Sequence, residues 1–268
     1  MAKNLIIAKT APEAVEAKNS ASAFLAGGTE AERLGTTVTA DTLILLKNVP
    51  DLDRIEEADD SLKIGALCSF EKTLEDPRVP DYLKTALRFM AARTKRNMAT
   101  VGGNISVCRS DSYLLPTLLA SGAELEILGK DGEKKTIAVR DYIASKDACA
   151  DCLITALLVR TEGISILSKR YANTAESHAA LTVSMGKSGG SFSIGAAVRN
   201  AGIFTLDGLA EKMNSGSPMT EDNIVGWCRT WDGAEIRDDF FGSEAYKRYL
   251  LGVTLAKMYA DLQGGDRK

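Results

Sequence analysis

Two glycine-bearing stretches about 70 residues apart carry the chemistry that can be read from this chain. They are Phe24-Leu25-Ala26-Gly27-Gly28-Thr29-Glu30 and Ala99-Thr100-Val101-Gly102-Gly103-Asn104-Ile105. Each sets adjacent glycines beside a hydroxyl, so each can present backbone N–H groups to an anion. Glycine reaches positive φ and lets a ligand come close to the main chain. Successive N–H groups in such a turn form an anion-binding nest. One Gly-Gly pair is most often a simple turn. Two of them, each after a short apolar run and beside a side-chain donor, point to one diphosphate gripped from both sides.

Other chemistries find little support. The only histidine is His178, in Glu176-Ser177-His178-Ala179, and no G-x-S-x-G elbow accompanies it. A packed or cofactor-adjacent histidine fits better than a catalytic imidazole. Neither G-x-x-x-x-G-K-[ST] nor a helix-opening G-x-G-x-x-G occurs, which removes the ATP-type P-loop and the Rossmann site. Glu56-Glu57 and Asp59-Asp60 read as a solvated polar turn region. Cys68, Cys108, Cys149, Cys152 and Cys228 are odd in number and irregularly spaced, unlike a secreted disulfide framework. Cys149-Ala150-Asp151-Cys152 lacks the second pair that a structural zinc would want, so no metal site is expected. Reduced cysteines near a loop are favoured there over a redox pair or a cluster ligand. Arg93, Lys95 and Arg96, just before the second glycine stretch, read either as a solvated helix end suited to the helix dipole or as cations facing a phosphate or a partner.

At 268 residues the chain has length for one large domain or for two to three compact ones. A formal net charge of −3 argues against general nucleic-acid binding. No apolar run approaches the ~18–20 residues of a membrane span, and the N-terminal apolar stretch is too brief for a signal peptide. These features predict a cytoplasmic protein that binds neither nucleic acid nor membrane.

The elements that must position the glycines follow from local patterns. Thr10-Ala11-Pro12-Glu13 reads as a capping box opening a helix over about 11–19. A strand over Phe24–Ala26 runs into the first glycine segment, followed by a helical turn through Glu30–Leu34. Strands are predicted over Thr42–Leu46 and Ser61–Ala66. The clearest helix is predicted over 81–95, where Leu83, Leu87, Met90, Ala91 and Thr94 share a face. Asp111 or Ser112 can cap a further helix that carries Pro116 near its start and runs to Gly122. Leu125 and Ile127, the turn Lys130-Asp131-Gly132 and the return over Thr136–Val139 then read as a hairpin. Strand-like runs follow at 153–160, 164–170, 179–186 and 191–199, closely spaced enough for antiparallel sheet. A long helix is predicted from Ser243 to Gln263, capped by Ser243, with Tyr246, Tyr249, Leu250, Val253 and Ala256 on one face. The fold class is α+β.

Ala26-Gly27-Gly28-Thr29 together with Arg96-Asn97-Met98-Ala99-Thr100-Val101-Gly102-Gly103-Asn104-Ile105 resembles the paired flavin signatures of the FAD-binding (medium) subunits of molybdenum hydroxylases, the xanthine dehydrogenase and carbon monoxide dehydrogenase family. Ile64-Gly65-Ala66, Leu114-Leu115-Pro116 through Gly122-Ala123, and Ser243-Glu244-Ala245-Tyr246-Lys247-Arg248 agree in order and spacing. The likeness is strongest to the family's shorter members. It implies a two-subdomain FAD-binding fold (PCMH-like), with α/β subdomains over 1–55 and 56–165, and a C-terminal sheet-plus-helix domain over 166–268. It implies FAD contacts from Leu25, Ala26, Gly27, Gly28, Thr29 and Glu30, and from Ala99, Thr100, Gly102, Gly103 and Asn104. It further implies an oxidoreductase subunit that takes electrons from [2Fe-2S] clusters on an iron–sulfur partner chain and passes them through FAD to NAD+ or another acceptor. A molybdopterin-binding partner would oxidise the substrate.

Two departures stand out. The family's acidic residue nine positions after the asparagine of T-x-G-G-N is here Tyr113, with Asp111 two residues earlier. Either can be the adenosine contact. The first segment continues as Glu30-Ala31-Glu32-Arg33 where the family is more apolar. Lys169 matches a basic position that approaches the flavin in some members. The first segment lacks the histidine of covalent flavoproteins, so FAD is expected to be non-covalent. The competing expectations are a stand-alone flavin reductase or oxidase on the same fold, and a flavin-free scaffold subunit. No catalytic residue is identified.

Overall fold

The computed structural model describes residues 2–31, 36, 39–216 and 218–264. Along the chain run β1 (Asn4–Ile7), α1 (Ala11–Ala17), β2 (Ser22–Leu25), β3 (Thr42–Leu45), β4 (Ile55–Ala58) and β5 (Ser61–Gly65). Short helices follow: α2 (Phe70–Glu75), α3 (Asp81–Arg88), α4 (Arg93–Met98), α5 (Val101–Val107) and α6 (Leu115–Ser121). Then come β6 (Glu124–Leu128), β7 (Lys134–Ala138), α7 (Val139–Ala144), β8 (Leu153–Arg160), β9 (Ile164–Tyr171), β10 (Leu181–Ser188), β11 (Ser191–Val198) and β12 (Gly202–Thr205). The chain closes with α8 (Asp207–Asn214), α9 (Glu221–Thr230) and α10 (Glu244–Gly264). Met1–Val79, Ala92–Val107 and Gly122–Thr161 form one compact unit, and Pro80–Ala91, Cys108–Ser121 and Glu162–Lys268 form the other.

The first unit holds two sheets. In the smaller, β3 lies between β1 and β2, both parallel to it, with Asn4 and Ser22 each opposite Thr42. Ile44 at the centre of β3 is fully buried and shares a core with Ala14 and Val15 of α1 and with Leu46, Val49 and Leu153. The larger sheet has the order β4-β5-β8-β6-β7 and is antiparallel throughout. Its central strand β8 is buried except at Leu158 and Arg160, which explains the almost unbroken apolar run Leu153–Val159. The predicted capping box at α1 is half realised. Thr10 Oγ1 accepts from the Glu13 N–H at 3.2 Å, but the Glu13 carboxylate accepts from Lys9 N–H, one residue before the cap. The helix stops at Ala17 because Lys18 turns to extended backbone. Glu30 and Ala31 lie in a turn, and residues 32–34 of the predicted helical turn lie outside the described residues. Glu56 and Glu57 are exposed as predicted but belong to edge strand β4, whose turn comes later at Asp59, φ +45°.

The second unit is a four-stranded antiparallel sheet, β12-β11-β10-β9, with helices packed on it. Helix α6 lies on β10 and β11 at glycine contact: a Cβ on Gly186 would meet Ala120 O at 2.4 Å, and one on Gly195 would meet Pro116 O at 2.4 Å. Of the two candidate caps, Ser112 serves α6, its Oγ accepting from the Leu115 N–H at 3.1 Å. The helix predicted over 81–95 is interrupted. α3 ends at Arg88 and α4 starts at Arg93, and the chain passes from the second unit to the first between Ala91 and Ala92. Leu83 and Leu87 are buried, whereas Thr94 is exposed, so the apparent stripe serves one helix only. In α10, Ser243 Oγ accepts from Tyr246 N–H at 3.2 Å as the cap. The predicted apolar face is half right: Ala256 is buried in the core and Leu250 packs against it. Tyr246 and Tyr249 are exposed, while Lys247, Leu251, Leu255, Met258 and Leu262 face the core.

Candidate functional site

A cavity of about 500 Å³ opens in the first unit, within the roughly 300–1,000 Å³ usual for small-ligand sites. Its wall is built from β2 and the loop Ala26–Ala31, from Thr100, Gly102, Gly103, Ser106 and Val107, and from Cys152, Leu153 and Ile154 at the start of β8. Both glycine stretches therefore reach one cavity. Parallel pairing with β3 delivers β2 into the first loop, where Gly28 adopts φ +75°, a conformation that L side chains rarely take. Gly27 meets a different demand. A Cβ there would lie 1.6 Å from Met98 O, so only glycine lets the two stretches meet.

The second stretch is a helix start and not a positive-φ nest. Thr100 Oγ1 accepts from the Gly103 N–H at 3.2 Å, and Asn104 N–H donates to Thr100 O at 3.0 Å. Gly102 and Gly103 lie in the first turn of α5. Close packing accounts for Gly102, whose N–H donates to Ala66 O at 2.9 Å and whose Cβ would sit 2.6 Å from Ala66 Cβ. Asn104 Oδ1 is buried with no hydrogen-bond partner in the protein. A buried polar atom of this kind calls for a partner.

Among the other residues read from sequence, Leu25, Ala26, Thr29 and Glu30 line the cavity with the glycines. Ala99 does not. It is buried, its N–H donating to Lys95 O at 2.7 Å and its carbonyl accepting from Phe70 N–H at 2.9 Å. Asp111, Tyr113 and Lys169 belong to the second unit. Asp111 is buried and bidentate with Arg109, at 2.8 Å from Nε and 2.7 Å from Nη2, and His178 Nδ1 lies 2.9 Å from its Oδ2. Burial pushes its carboxyl up, but the Arg109 hydrogen bonds and charge, aided by His178 and Arg199, outweigh this and hold it below the ordinary range. Burial pushes the Tyr113 phenol up. Lys169 is exposed on β9, with Nζ 5.9 Å from the centre of the Tyr171 ring. Of the cations before the second stretch, Arg93 and Arg96 pair with carboxylates on α2. Arg93 bonds Glu71 at 2.8 Å and Glu75 at 3.0 Å, and Arg96 bonds Glu71 at 2.6 Å.

Sequence reasoning missed Lys18 and Lys146 on the wall. Lys18 Nζ donates to Asn19 O at 2.9 Å and Lys146 Nζ to Val107 O at 3.0 Å. Nothing marks either lysine in the sequence: Lys18 is the cap residue after α1, six residues before the first stretch, and Lys146 comes from a segment distant from both. Their charges favour an anionic ligand. Cys152 also lines the cavity, and burial pushes its thiol up, with Cys149 adding to the shift. No group of His, Cys, Asp and Glu among the described residues could hold a metal ion, and no described helix is long and apolar enough to cross a membrane.

The profile of the family described as "FAD binding domain in molybdopterin dehydrogenase" matches residues 2–159. The uncharacterised protein YgfM of Escherichia coli (strain K12) is 30% identical over 247 residues, 90% of this chain and 87% of that protein. Quinoline 2-oxidoreductase from Pseudomonas putida 86 superposes with a TM-score of 0.82 at 17% identity, covering 99% of this chain and 98% of that one. A chain of the reconstituted CO dehydrogenase from Oligotropha carboxidovorans gives 0.81 at 19% identity, covering 97% of each. At such identities the likeness is one of fold.

Proposed function

We propose that this chain, which belongs to the family of FAD-binding domains in molybdopterin dehydrogenases, is the flavin module of a multi-chain oxidoreductase, relaying electrons from iron–sulfur clusters on one partner to NAD+ or another acceptor. FAD is the family's cofactor. The carrying observation is the single cavity onto which both glycine stretches open. The residues present suit FAD: Gly28 supplies left-handed backbone, Gly27 removes the side chain that would hold the stretches apart, Gly102 lets α5 pack on Ala66, and Lys18 and Lys146 add positive charge. Asn104 Oδ1 stands buried in the same helix turn without a partner.

In this reading the backbone of Ala26–Glu30 holds the diphosphate against the Thr100–Gly103 turn, whose Gly102 and Gly103 N–H groups are donated to Ala66 O and Thr100 Oγ1 and which offers close approach, not free donors. Leu153 and Ile154 give the cofactor apolar wall, and the link is non-covalent. Bound FAD supplies one- and two-electron transfer. The chain's own residues bind and orient it. The oxidation of an organic substrate belongs to a molybdopterin-bearing partner and the clusters to an iron–sulfur partner. Purified protein should carry FAD that acid or heat releases intact, and by itself it should move electrons only from reduced nicotinamide to an artificial dye. Turnover of a purine or another heterocycle by this polypeptide alone would overturn the reading, as would release of FMN.

A further inference from the structure

Gripping a diphosphate makes no use of Cys149-Ala150-Asp151-Cys152, yet this segment has the geometry of a latent crosslink. Cys152 N–H donates to the Cys149 carbonyl at 3.0 Å and closes a four-residue turn. Such a turn keeps its first and last Cα within about 7 Å, and a disulfide bridges about 4.4–6.8 Å. Both cysteines are free. Asp151, inside the turn, is paired with Lys18 at 3.4 Å and with Lys130 at 3.0 Å. Lys18 and Cys152 both line the cavity. Cys149 is buried beside Ser145, whose Oγ lies 3.8 Å from its Sγ. Two cysteines whose backbone spacing suits a disulfide thus stand at the cavity, Cys152 in its wall and Cys149 buried behind, and their turn is tied by an ion pair to a second wall residue.

We propose that Cys149 and Cys152 are a reversible redox pair whose dithiol and disulfide states set how tightly the cavity holds FAD. The proposal rests on the reading of that cavity as the FAD site. A low-molecular-weight disulfide such as oxidised glutathione is the oxidant. The thiolate of Cys152, the less buried of the two, attacks one glutathione sulfur and expels a glutathione thiolate. The Cys149 thiolate then attacks Cys152 Sγ in the mixed disulfide and expels the second. Two protein thiols become one disulfide, their two electrons reduce the oxidant, and their two protons end on the two glutathiones. Bonding requires Cys152 to leave the wall towards Cys149, or Cys149 to move out towards the cavity. Either movement alters the wall directly before Leu153 and Ile154. Cofactor and crosslink are then linked reciprocally: whatever factor oxidation costs FAD binding, bound FAD costs oxidation.

The test uses the full chain equilibrated in reduced or oxidised glutathione, with FAD titrated by fluorescence and cysteines assigned by peptide mapping. Cys68 and Cys228 are fully buried, so mapping need separate the 149–152 link only from adducts at Cys108. The expected result is an intramolecular Cys149–Cys152 disulfide, about fivefold or greater weakening of FAD binding, and recovery with dithiothreitol. FAD-loaded protein should need a correspondingly more oxidising buffer to form the link. The Cys149→Ser/Cys152→Ser double variant should bind FAD equally in both buffers. Failure of the disulfide to form in the cofactor-free chain at any buffer ratio overturns the proposal. So does a mapped disulfide with unchanged FAD affinity. No FAD binding by the reduced wild-type chain overturns the cofactor reading itself, and the coupling with it, even where the disulfide forms.

Discussion

Gly27 and Gly28 are neighbours that are glycine for different reasons, and substitution should separate them. Gly28 holds φ +75° on the cavity wall. Gly28→Val should cost about 1–2 kcal/mol of fold stability for a side chain forced into left-handed backbone, yet abolish FAD retention. Gly27→Ala meets Met98 O, where nothing flexible can yield, and should cost about 3 kcal/mol or more. Urea denaturation with FAD absorbance on the same samples checks both. Full FAD content in Gly28→Val would remove that residue from the cofactor site. Asp111 offers a pH test. Its folded carboxyl titrates below its ordinary value, so its contribution is fully present above about pH 4, the unfolded carboxylate's range. That contribution is lost as pH falls through the lower folded value. Asp111→Asn should therefore be less stable than wild type at neutral pH, with the gap closing on acidification below about pH 4. A gap that is constant with pH would contradict the assignment of that shift to the Arg109 pair.

At the scale of elements, α10 shows where sequence patterning misleads. Lys247 and Arg248 lie outside the apolar face that the spacing gives, yet both are buried. Lys247 pairs with Asp239 at 2.7 Å and donates to Arg237 O at 2.8 Å. Arg248 bonds Glu244 at 2.7 Å and donates to the carbonyls of Cys228 and Trp231. These two side chains hold the loop between α9 and α10, so the start of the helix turns Tyr246 and Tyr249 outward. Lys247→Met leaves Asp239 without its cation and should cost about 3 kcal/mol or more, much of it recovered when Asp239→Asn is added. A chemical-denaturation double-mutant cycle measures this, and additive losses would show that the pair is not coupled. The same contrast explains what was legible elsewhere. Strands β8, β9 and β11 could be read to within a residue, and β7 and β10 to within two, because short apolar runs leave few alternatives and glycine turns set off β6 from β7, β8 from β9 and β10 from β11. The break between α3 and α4 could not, because Met90, Ala91 and Thr94 continue a helical spacing and the interruption comes from where the chain must go next. At the cavity, the glycine stretches were visible as adjacent glycines beside hydroxyls. The close packing of Gly102 was hidden, because its reason is Ala66, far away in sequence and so near in space that a Cβ on Gly102 would sit 2.6 Å from the Ala66 Cβ.

At the scale of the whole molecule, the chain crosses between its two units five times, after Val79, Ala91, Val107, Ser121 and Thr161. This has a consequence for how the protein is made. A ribosome delivers the chain from the N-terminus, and the first unit lacks the central strand of its larger sheet until β8 has emerged. Meanwhile α3 and α6 wait for β9–β12, the sheet on which they are to pack. The first unit cannot close before β8 emerges, and the second, which still lacks β9–β12 when Thr161 has been made, must close last, so the long-range contacts of both form late. Nascent chains stalled with residue 150 just outside the tunnel should be digested throughout by protease, whereas the released chain resists. A protected fragment over 1–150 in the stalled state would show that the first unit closes without β8. More than half of the chain is therefore translated before either unit can close, and its apolar strands stay unpaired for that time.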